Sequence, residues 1–154
     1  MLSVGDAAPV FDLVDQHGRS VTLESLRGRR LMFVFLPLAF SGICASELEQ
    51  LVDDQPLFAS ARTEVIGISV DSMFALRTWT DAIGAPFRLL SDFWPHGAVA
   101  DRFHAFDAET GRATRTSIAI DERGTVVSVF STPADRARTT AMYAQALSMF
   151  EDVE

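Results

Sequence analysis

The stretch from Leu31 to Leu36 is apolar at every position and lacks the alternation of a half-buried strand. A strand that is apolar on both of its faces is typical of a central position that helices cover on each side. A second, mostly apolar strand is predicted from Glu64 to Val70. The pattern therefore indicates a layered α/β fold with a central strand at Leu31 to Leu36.

Helical spacing begins shortly after the first of these strands. Cys44, Leu48 and Leu51 recur at intervals close to 3.6 residues, with acidic and amide side chains between them. We therefore predict a helix that begins near Gly42. Pro56 should kink or shorten this helix, because proline lacks the N–H donor and clashes with the preceding turn.

The rest of the chain alternates between strand and helix patterns. The predicted elements are an N-terminal hairpin of strands 10–14 and 20–23, a helix from Asp71 or Ser72 to Gly84, a strand from Phe87 to Leu90, a short helix from Ala98 to Phe103, a hairpin of strands 115–120 and 125–130, and a last helix that begins at Thr132-Pro133-Ala134-Asp135. This order predicts a thioredoxin-like α/β fold: a mixed central sheet flanked by helices on both faces, with an N-terminal β-hairpin. Because no linker or repeat interrupts the chain, we expect residues 1–154 to form a single domain.

Charge and composition narrow the set of partners. Thirteen Lys and Arg against twenty-one Asp and Glu give a formal net charge of −8, so nucleic acid and anionic membrane surfaces are not expected partners. The longest apolar run, Leu31 to Phe40, contains a proline and is about half of the ~20 residues that a membrane span needs. The N-terminus lacks the basic start and apolar core of a secretory signal, which predicts a cytoplasmic protein.

The chain contains a single cysteine, Cys44, so no intrachain disulfide and no cysteine-rich zinc site can form. The predicted helix places Cys44 in its first turn, where free N–H groups and the helix dipole favour an anion. In general, free cysteine has a pKa of about 8.5, which a helix N-terminus or a neighbouring cation can lower to about 3.5–7.5. Position alone leaves two interpretations open: an activated thiol, or a small buried side chain on the apolar face.

The residues before Cys44 have the spacing of a known active-site motif. Pro37, Ser41 and Cys44 stand in the order P-x-x-x-S-x-x-C, close to the P-x-x-x-[TS]-x-x-C motif of peroxiredoxins. With the surrounding sequence, the chain resembles the one-cysteine peroxiredoxins of the alkyl hydroperoxide reductase E subgroup over essentially its whole length. The matching segments are Phe35–Cys44, Leu90–Ala98, and Arg115 with Asp121 six residues later.

The resemblance implies roles for five residues. Cys44 matches the peroxidatic nucleophile, whose thiolate attacks a peroxide oxygen and becomes a sulfenic acid, and Arg115 matches the arginine that holds thiolate and peroxide. Ser41 is expected to direct its hydroxyl toward these groups or to cap the helix, and Pro37 to shield the pocket. Glu47 is expected to orient Arg115 or another arginine of the pocket. The ordinary alternatives are a surface cation at a strand end for Arg115 and a solvated helix carboxylate for Glu47.

Other candidate chemistry carries less weight. The three histidines (His17, His96 and His104) lack the spacing of metal ligands, and no nucleotide-binding motif is present, so we expect neither a metal nor a cofactor. A dyad of Cys44 with His96 or His104 for acyl transfer is a further alternative. Phe93 and Trp94 are expected to be buried by ordinary aromatic packing, with a substrate rim or a subunit contact as the alternative.

Without a second cysteine, a sulfenic acid at Cys44 requires an external thiol for its reduction. The resemblance implies hydrogen peroxide and organic hydroperoxides as substrates, reduction by a low-molecular-weight thiol with a redoxin or by thioredoxin, and a homodimer formed near the cysteine helix. The apolar stretch from Leu36 to Ile43 favours lipid hydroperoxides as well. Two other functions stay open: a redox sensor or relay without efficient turnover, and a binding module with an inert cysteine.

Overall fold

A computed structural model describes residues 2–150 of the 154-residue chain. The strands are β1 (Asp12–Asp15), β2 (Ser20–Thr22), β3 (Arg30–Phe35), β4 (Thr63–Ser69), β5 (Arg88–Ser91), β6 (Phe106–Asp107), β7 (Arg112–Ala113), β8 (Arg115–Ile120) and β9 (Val126–Thr132). Seven of them form one mixed sheet in the order β2-β1-β5-β4-β3-β8-β9, while β6 and β7 pair as a separate short hairpin. The predicted N-terminal hairpin corresponds to β1 and β2 and is confirmed.

The centre of the sheet is parallel. β3 pairs in parallel with β4, and β4 with β5, whereas β1 and β8 run antiparallel to their central neighbours. Every residue of β3 is buried. Its apolar residues alternate between two cores: Leu31, Phe33 and Phe35 pack on one face of the sheet, and Met32 and Val34 pack on the other, together with Leu36 just after the strand. The predicted covering of this strand on both faces is confirmed.

Helices cover both faces of the sheet. They are α1 (Gly42–Asp53), α2 (Gln55–Ser60), α3 (Met73–Ile83), α4 (Ala98–Arg102) and α5 (Thr140–Leu147). The buried residues of α1, α2, α3 and α5 belong to one core, and those of α4 belong to the core on the opposite face. Within residues 2–150, none of these helices has the length and hydropathy of a membrane span.

Local signals in the sequence mark several ends of elements correctly. Pro56 lies in the first turn of α2, so the break between α1 and α2 falls where proline was expected to interrupt the helix. The hydroxyl of Ser72 accepts a hydrogen bond from the N–H of Ala75 at 3.2 Å, and Gly84 ends α3 with a left-handed φ of 73°. Gly124, with a φ of 82°, closes the turn between β8 and β9.

The predicted start of the last helix at Thr132 is wrong. β9 continues to Thr132, and α5 begins only at Thr140, with Thr139 as its N-cap. Residues 133–138 form an irregular segment, since both the backbone N–H and the side chain of Arg138 donate to a carboxylate of α1. This tertiary contact outweighs the local capping signal.

Candidate active site

Cys44 lies in the first turn of α1, at the edge of the sheet where β3 ends. Its side chain is 0% exposed and belongs to the same core as Leu48 and Leu51. The helix places its positive end at this point, so an anion at the sulfur is stabilised by the dipole. The sulfur of Cys44 therefore lies both in an apolar core and at the positive end of a helix.

Ser41 occupies the N-cap position of α1 without acting as a side-chain cap. Its hydroxyl donates instead to the carbonyl of Leu38 at 3.0 Å. The alternative in which Ser41 caps the helix is therefore wrong. Because the side chain leaves the first-turn N–H groups uncapped, the positive end of α1 stays available to a negatively charged group.

Contacts with the neighbouring strand hold the loop between β3 and α1. The N–H of Ala39 donates to the carboxylate of Asp71 at 2.8 Å, and the same carboxylate accepts from the hydroxyl of Ser69. Phe40 adopts a left-handed φ of 65°, and its ring lies 6.0 Å from that of Trp79. A backbone hydrogen bond and an aromatic contact therefore both hold the loop that leads to Cys44.

The register of the sheet brings Arg115 to the same edge. β8 runs antiparallel to β3, and Ser117 pairs with Val34. Moving two residues along each strand in opposite directions places Arg115 beside Leu36, where the chain leaves β3 toward α1. Because side chains alternate along a strand, Arg115 and Ser117 project from the same face of the sheet.

Arg115 is buried, with 4% of its surface exposed, and is not the surface cation considered as its alternative. Its Nε–H donates to the carbonyl of Ala134 at 2.9 Å, and its Nη1–H donates to Glu47 of α1. A guanidinium carries five N–H donors. Within residues 2–150, the remaining three have no hydrogen-bond acceptor.

Glu47 connects two buried arginines. Beyond its contact with Arg115, it accepts from Arg138 at the Nε (2.9 Å), the Nη2 (3.1 Å) and the backbone N–H (2.9 Å). Burial by itself would raise the pKa of Glu47, but its hydrogen bonds and charge interactions with Arg138, together with the charge of Arg115, lower that pKa. Glu47 is therefore ionised, and it is not a solvated surface carboxylate.

Arg138 was not identified from the sequence. Its side chain is fully buried and bonds to Glu47, to the carbonyl of Thr116 at 2.9 Å and to the hydroxyl of Ser117 at 3.1 Å. Burial would lower its pKa, but the neighbouring acidic groups, including Glu47 through its hydrogen bonds and charge, outweigh burial and raise that pKa. The guanidinium remains charged, and its field acts on the sulfur of Cys44.

An open cleft of about 650 Å³ lies next to this cluster. Pro37, Ser41 and Ile43 line the cleft at the start of α1, and Arg115 forms another part of its wall. Cys44, which is fully buried, lies behind this lining. A small molecule that enters the cleft therefore meets the first turn of α1 and Arg115.

Two histidines were considered as partners of Cys44. His104 lines the cleft, whereas His96 bonds to the carbonyl of Gly111 at 2.6 Å. In the described part of the chain, neither histidine hydrogen-bonds to Cys44 and no group of three His, Cys, Asp or Glu side chains could hold a metal. The acyl-transfer dyad thus has no support in the contacts of Cys44.

A buried thiol at a helix N-terminus, one turn before a carboxylate that binds two buried arginines, is the kind of arrangement found in thiol-based redox sites on a thioredoxin-like fold. Residues 4–129 match the model of the AhpC/TSA family. The chain is 42% identical over 127 residues to the alkyl hydroperoxide reductase E of Mycobacterium tuberculosis, a match that covers 82% of this chain and 83% of that protein. The chain therefore belongs to the AhpC/TSA family.

Solved structures agree with this assignment. AhpC from Enterococcus faecalis superposes with a TM-score of 0.87 at 25% identity, covering 96% of this chain and 92% of that one. Peroxidoxin BcpB from Mycobacterium tuberculosis gives a TM-score of 0.83 at 27% identity, covering 97% and 96%. The chain is a peroxiredoxin, an oxidoreductase that reduces peroxides with a thiol, and the sensor alternative is not favoured.

Proposed function

We propose that this peroxiredoxin reduces hydrogen peroxide and organic hydroperoxides through Cys44, which becomes a sulfenic acid that an external thiol reduces. The residues that we assign to the site are Cys44 as the nucleophile, Arg115 and Ser41 as hydrogen-bond donors, Pro37 as a shield and Glu47 as the carboxylate that holds Arg115. We further propose that residues 1–154 act as a single domain in the cytoplasm.

The chemical step follows from the groups around the cleft. The thiolate of Cys44 attacks the terminal oxygen of the peroxide, an S–O bond forms while the O–O bond breaks, and the remaining alkoxide or hydroxide takes a proton from solvent. Negative charge develops on the departing oxygen. The free N–H groups of Arg115 are suited to stabilise it, because charge-assisted hydrogen bonds are strong in a water-poor site.

One observation carries this proposal: Glu47, one turn beyond Cys44, bonds to both Arg115 and Arg138. A single carboxylate between two guanidinium groups leaves the cluster with a net positive charge next to the sulfur. Two of the five N–H donors of Arg115 bond to Ala134 and Glu47 and hold the guanidinium in place. The other three can therefore donate hydrogen bonds to the peroxide. This arrangement stabilises a thiolate and a developing oxyanion together.

Ser41 and Pro37 have supporting roles. The Ser41 hydroxyl, now bonded to the carbonyl of Leu38, lines the cleft and reaches a bound peroxide by rotation about its Cα–Cβ bond. Serine lacks the methyl group that restricts the rotamers of threonine, so this rotation is easier here. Pro37 lies on the cleft wall and excludes water from the approach to the sulfur.

The second half of the cycle requires an external thiol, because these 154 residues contain one cysteine. A low-molecular-weight thiol with a redoxin, or thioredoxin, fits this requirement. Since Cys44 is fully buried, the first turn of α1 must open before a thiol reaches the sulfenic acid. A slow opening would favour further oxidation to sulfinic acid.

We propose a homodimer that forms at the edge of the sheet where β3, β4 and β5 end. The loops at this edge expose Leu38, Phe40, Phe93 and Trp94, of which Trp94 is 81% exposed, and the first turn of α3 exposes Phe74. Exposed apolar side chains of this kind are typical of protein interfaces. Sedimentation equilibrium should give twice the 16.9 kDa of one chain, and Phe74→Ser with Trp94→Ser should give a monomer. An unchanged mass in this variant contradicts the proposed interface.

Stopped-flow oxidation of the reduced protein tests the proposed peroxidase. Cys44→Ser should abolish sulfenic acid formation and thiol-dependent turnover. Arg115→Ala should slow the reaction with hydrogen peroxide by about 10²–10³-fold, the typical loss when an oxyanion donor is removed. Arg123→Ala, an exposed arginine in the turn between β8 and β9, is the matched control and should react at the rate of the unchanged protein. Oxidation of Arg115→Ala at that rate would falsify the assignment.

A further inference from the structure

Two buried hydroxyl groups lie behind Arg138, on the side away from the cleft lining. Ser117 is 0% exposed, and its Oγ accepts a hydrogen bond from the Nη1–H of Arg138 at 3.1 Å. The same Oγ lies 3.1 Å from the hydroxyl of Tyr143, which is also buried. The three side chains form one hydrogen-bonded series from α5 through β8 to the arginine.

Nearly every hydrogen-bond donor of Arg138 in this series has an acceptor. Arg138 donates four of its five N–H groups: Nε and Nη2 to Glu47, and Nη1 to Ser117 and the carbonyl of Thr116. A guanidinium only donates, so the oxygen of Ser117 must act as the acceptor in its contact with Arg138. The orientation of that oxygen depends on Tyr143, the other partner of the Ser117 hydroxyl.

Tyr143 is held rigidly by its aromatic neighbours. Its ring makes edge-to-face contacts with Phe58 of α2 at 5.5 Å and with Phe130 of β9 at 5.1 Å. Burial raises the pKa of Tyr143 above its ordinary value, so its hydroxyl keeps its proton. Because two rings hold this neutral phenol in place, its hydroxyl keeps a fixed position beside Ser117.

We propose that Ser117 and Tyr143 are positioning residues that orient Arg138 and, through Arg138 and Glu47, set how strongly the thiolate of Cys44 is stabilised. This proposal deepens the proposed function and rests on it. The charged and titratable groups that the structure places around the start of α1 are of three kinds. Glu47, Arg115, Arg138 and Tyr143 form the buried cluster, Asp71 bonds to the loop before α1, and His104, Asp107 and Arg112 line the cleft. Within residues 2–150, neither hydroxyl lines the cleft or hydrogen-bonds to Cys44, so both act through Arg138.

The test is the pH dependence of Cys44 alkylation by iodoacetamide, which reacts with the thiolate. Ser117→Ala leaves one N–H of Arg138 without its acceptor, and the midpoint of the profile should move to higher pH by about one unit. Tyr143→Phe keeps the ring packing and removes only the hydroxyl, so its shift should be smaller. Because both hydroxyls act in series, the double variant should shift no further than Ser117→Ala alone.

Controls separate positioning from packing. Ser117→Thr keeps the hydroxyl and should keep the profile of the unchanged protein. Thr80→Ala removes a buried hydroxyl of α3 whose one hydrogen bond within residues 2–150 is to the carbonyl of Arg77, and it should leave the profile unchanged. Urea unfolding of each variant confirms that it is folded at the assay temperature. Loss of stability without a shift of the profile, or additive shifts in the double variant, overturns the proposal.

Failure of the proposed function gives a different result. Alkylation reports the charge on Cys44 without requiring any peroxide chemistry. If the unchanged protein does not form sulfenic acid with hydrogen peroxide, the peroxidase assignment fails. The alkylation profiles of the Ser117 and Tyr143 variants still decide whether these residues act on the sulfur through Arg138.

Discussion

Two carboxylates of this protein are almost equally buried, but their pKa values are shifted in opposite directions. Glu47 is 3% exposed and Asp92 is 1% exposed. Burial acts on both in the same direction, because removal of a carboxylate from water raises its pKa. The pKa of Glu47 is nevertheless lowered, while that of Asp92 is raised. The partners of each group, and not its depth, decide its charge state.

The two sets of partners differ in kind. Glu47 bonds to two guanidinium groups that carry full charges. Asp92 accepts from the backbone N–H groups of Val99 and Ala100 at 3.1 and 2.8 Å, at the start of α4. These two bonds, with the charges of the more distant His96 and Arg102, lower the pKa of Asp92 by less than burial raises it. Backbone dipoles compensate a buried charge less completely than fixed cations do.

The difference separates a functional carboxylate from a structural one. Glu47 is ionised, and its charge keeps two buried cations close to Cys44. Asp92 fixes the segment before α4 to that helix, and within residues 2–150 it hydrogen-bonds to none of the residues assigned to the site. Predictions on these two positions therefore test whether the electrostatic cluster around Cys44 differs from ordinary buried polar structure.

The largest effect is expected for Glu47→Gln. Glutamine keeps one oxygen acceptor but removes the negative charge, so two buried guanidinium groups lose their counter-ion. Breaking a buried ion pair in this way typically costs about 3–5 kcal/mol of the free energy of unfolding. Displacement of Arg115 should also slow the reaction of Cys44 with hydrogen peroxide by about 100-fold. Urea denaturation and stopped-flow oxidation measure the two effects.

Asp92→Asn is the matched control and should have a smaller effect on stability alone. One amide oxygen replaces two acceptor oxygens, and the new NH₂ group faces a backbone N–H of α4. The expected cost is about 1–3 kcal/mol, the penalty for an unsatisfied buried polar group. The rate of Cys44 oxidation should be unchanged. Equal losses of rate in the Glu47 and Asp92 variants would remove the distinction between the two carboxylates.

Much of the fold follows from local patterns in the sequence. The doubly apolar stretch Leu31 to Leu36 identified a central strand, and Gly84 and Gly124 marked ends of elements, because these signals depend only on nearby residues. Cys44 could be placed at a helix start for the same reason. Its match to a family motif supplied the chemistry that position alone left open.

The parts that could not be predicted depend on distant contacts. Arg115 comes to the start of α1 and bonds to Glu47 only through the antiparallel register of β8 against β3, and a single sequence does not state that register. Arg138 was missed because a helix starting at Thr132 would absorb it into an ordinary helical turn. The predicted burial of Phe93 and Trp94 is wrong, since both are exposed: aromatic character does not specify which face of a loop is covered.

The smallest effect, and the one most specific to the comparison, is the pH dependence of stability. The folded-state pKa of Glu47 lies below its ordinary value of 4.5, so its contribution is present above pH 4.5 and is lost as pH falls through the lowered pKa. The folded-state pKa of Asp92 lies above its ordinary value of 3.8. Its contribution is complete below pH 3.8 and is lost as pH rises through the raised pKa.

The two variants should therefore respond to acid with opposite signs. As pH falls from neutrality, the stability deficit of Glu47→Gln relative to the unchanged protein should shrink once pH passes below 4.5. The stability deficit of Asp92→Asn should grow as pH falls to 3.8. Protonation removes the cost of burying a charged Asp92, and only the unchanged protein gains stability in this way. Urea denaturation followed by circular dichroism at a series of pH values measures both deficits. Deficits that change in the same direction would show that burial, and not the two arginines, governs Glu47.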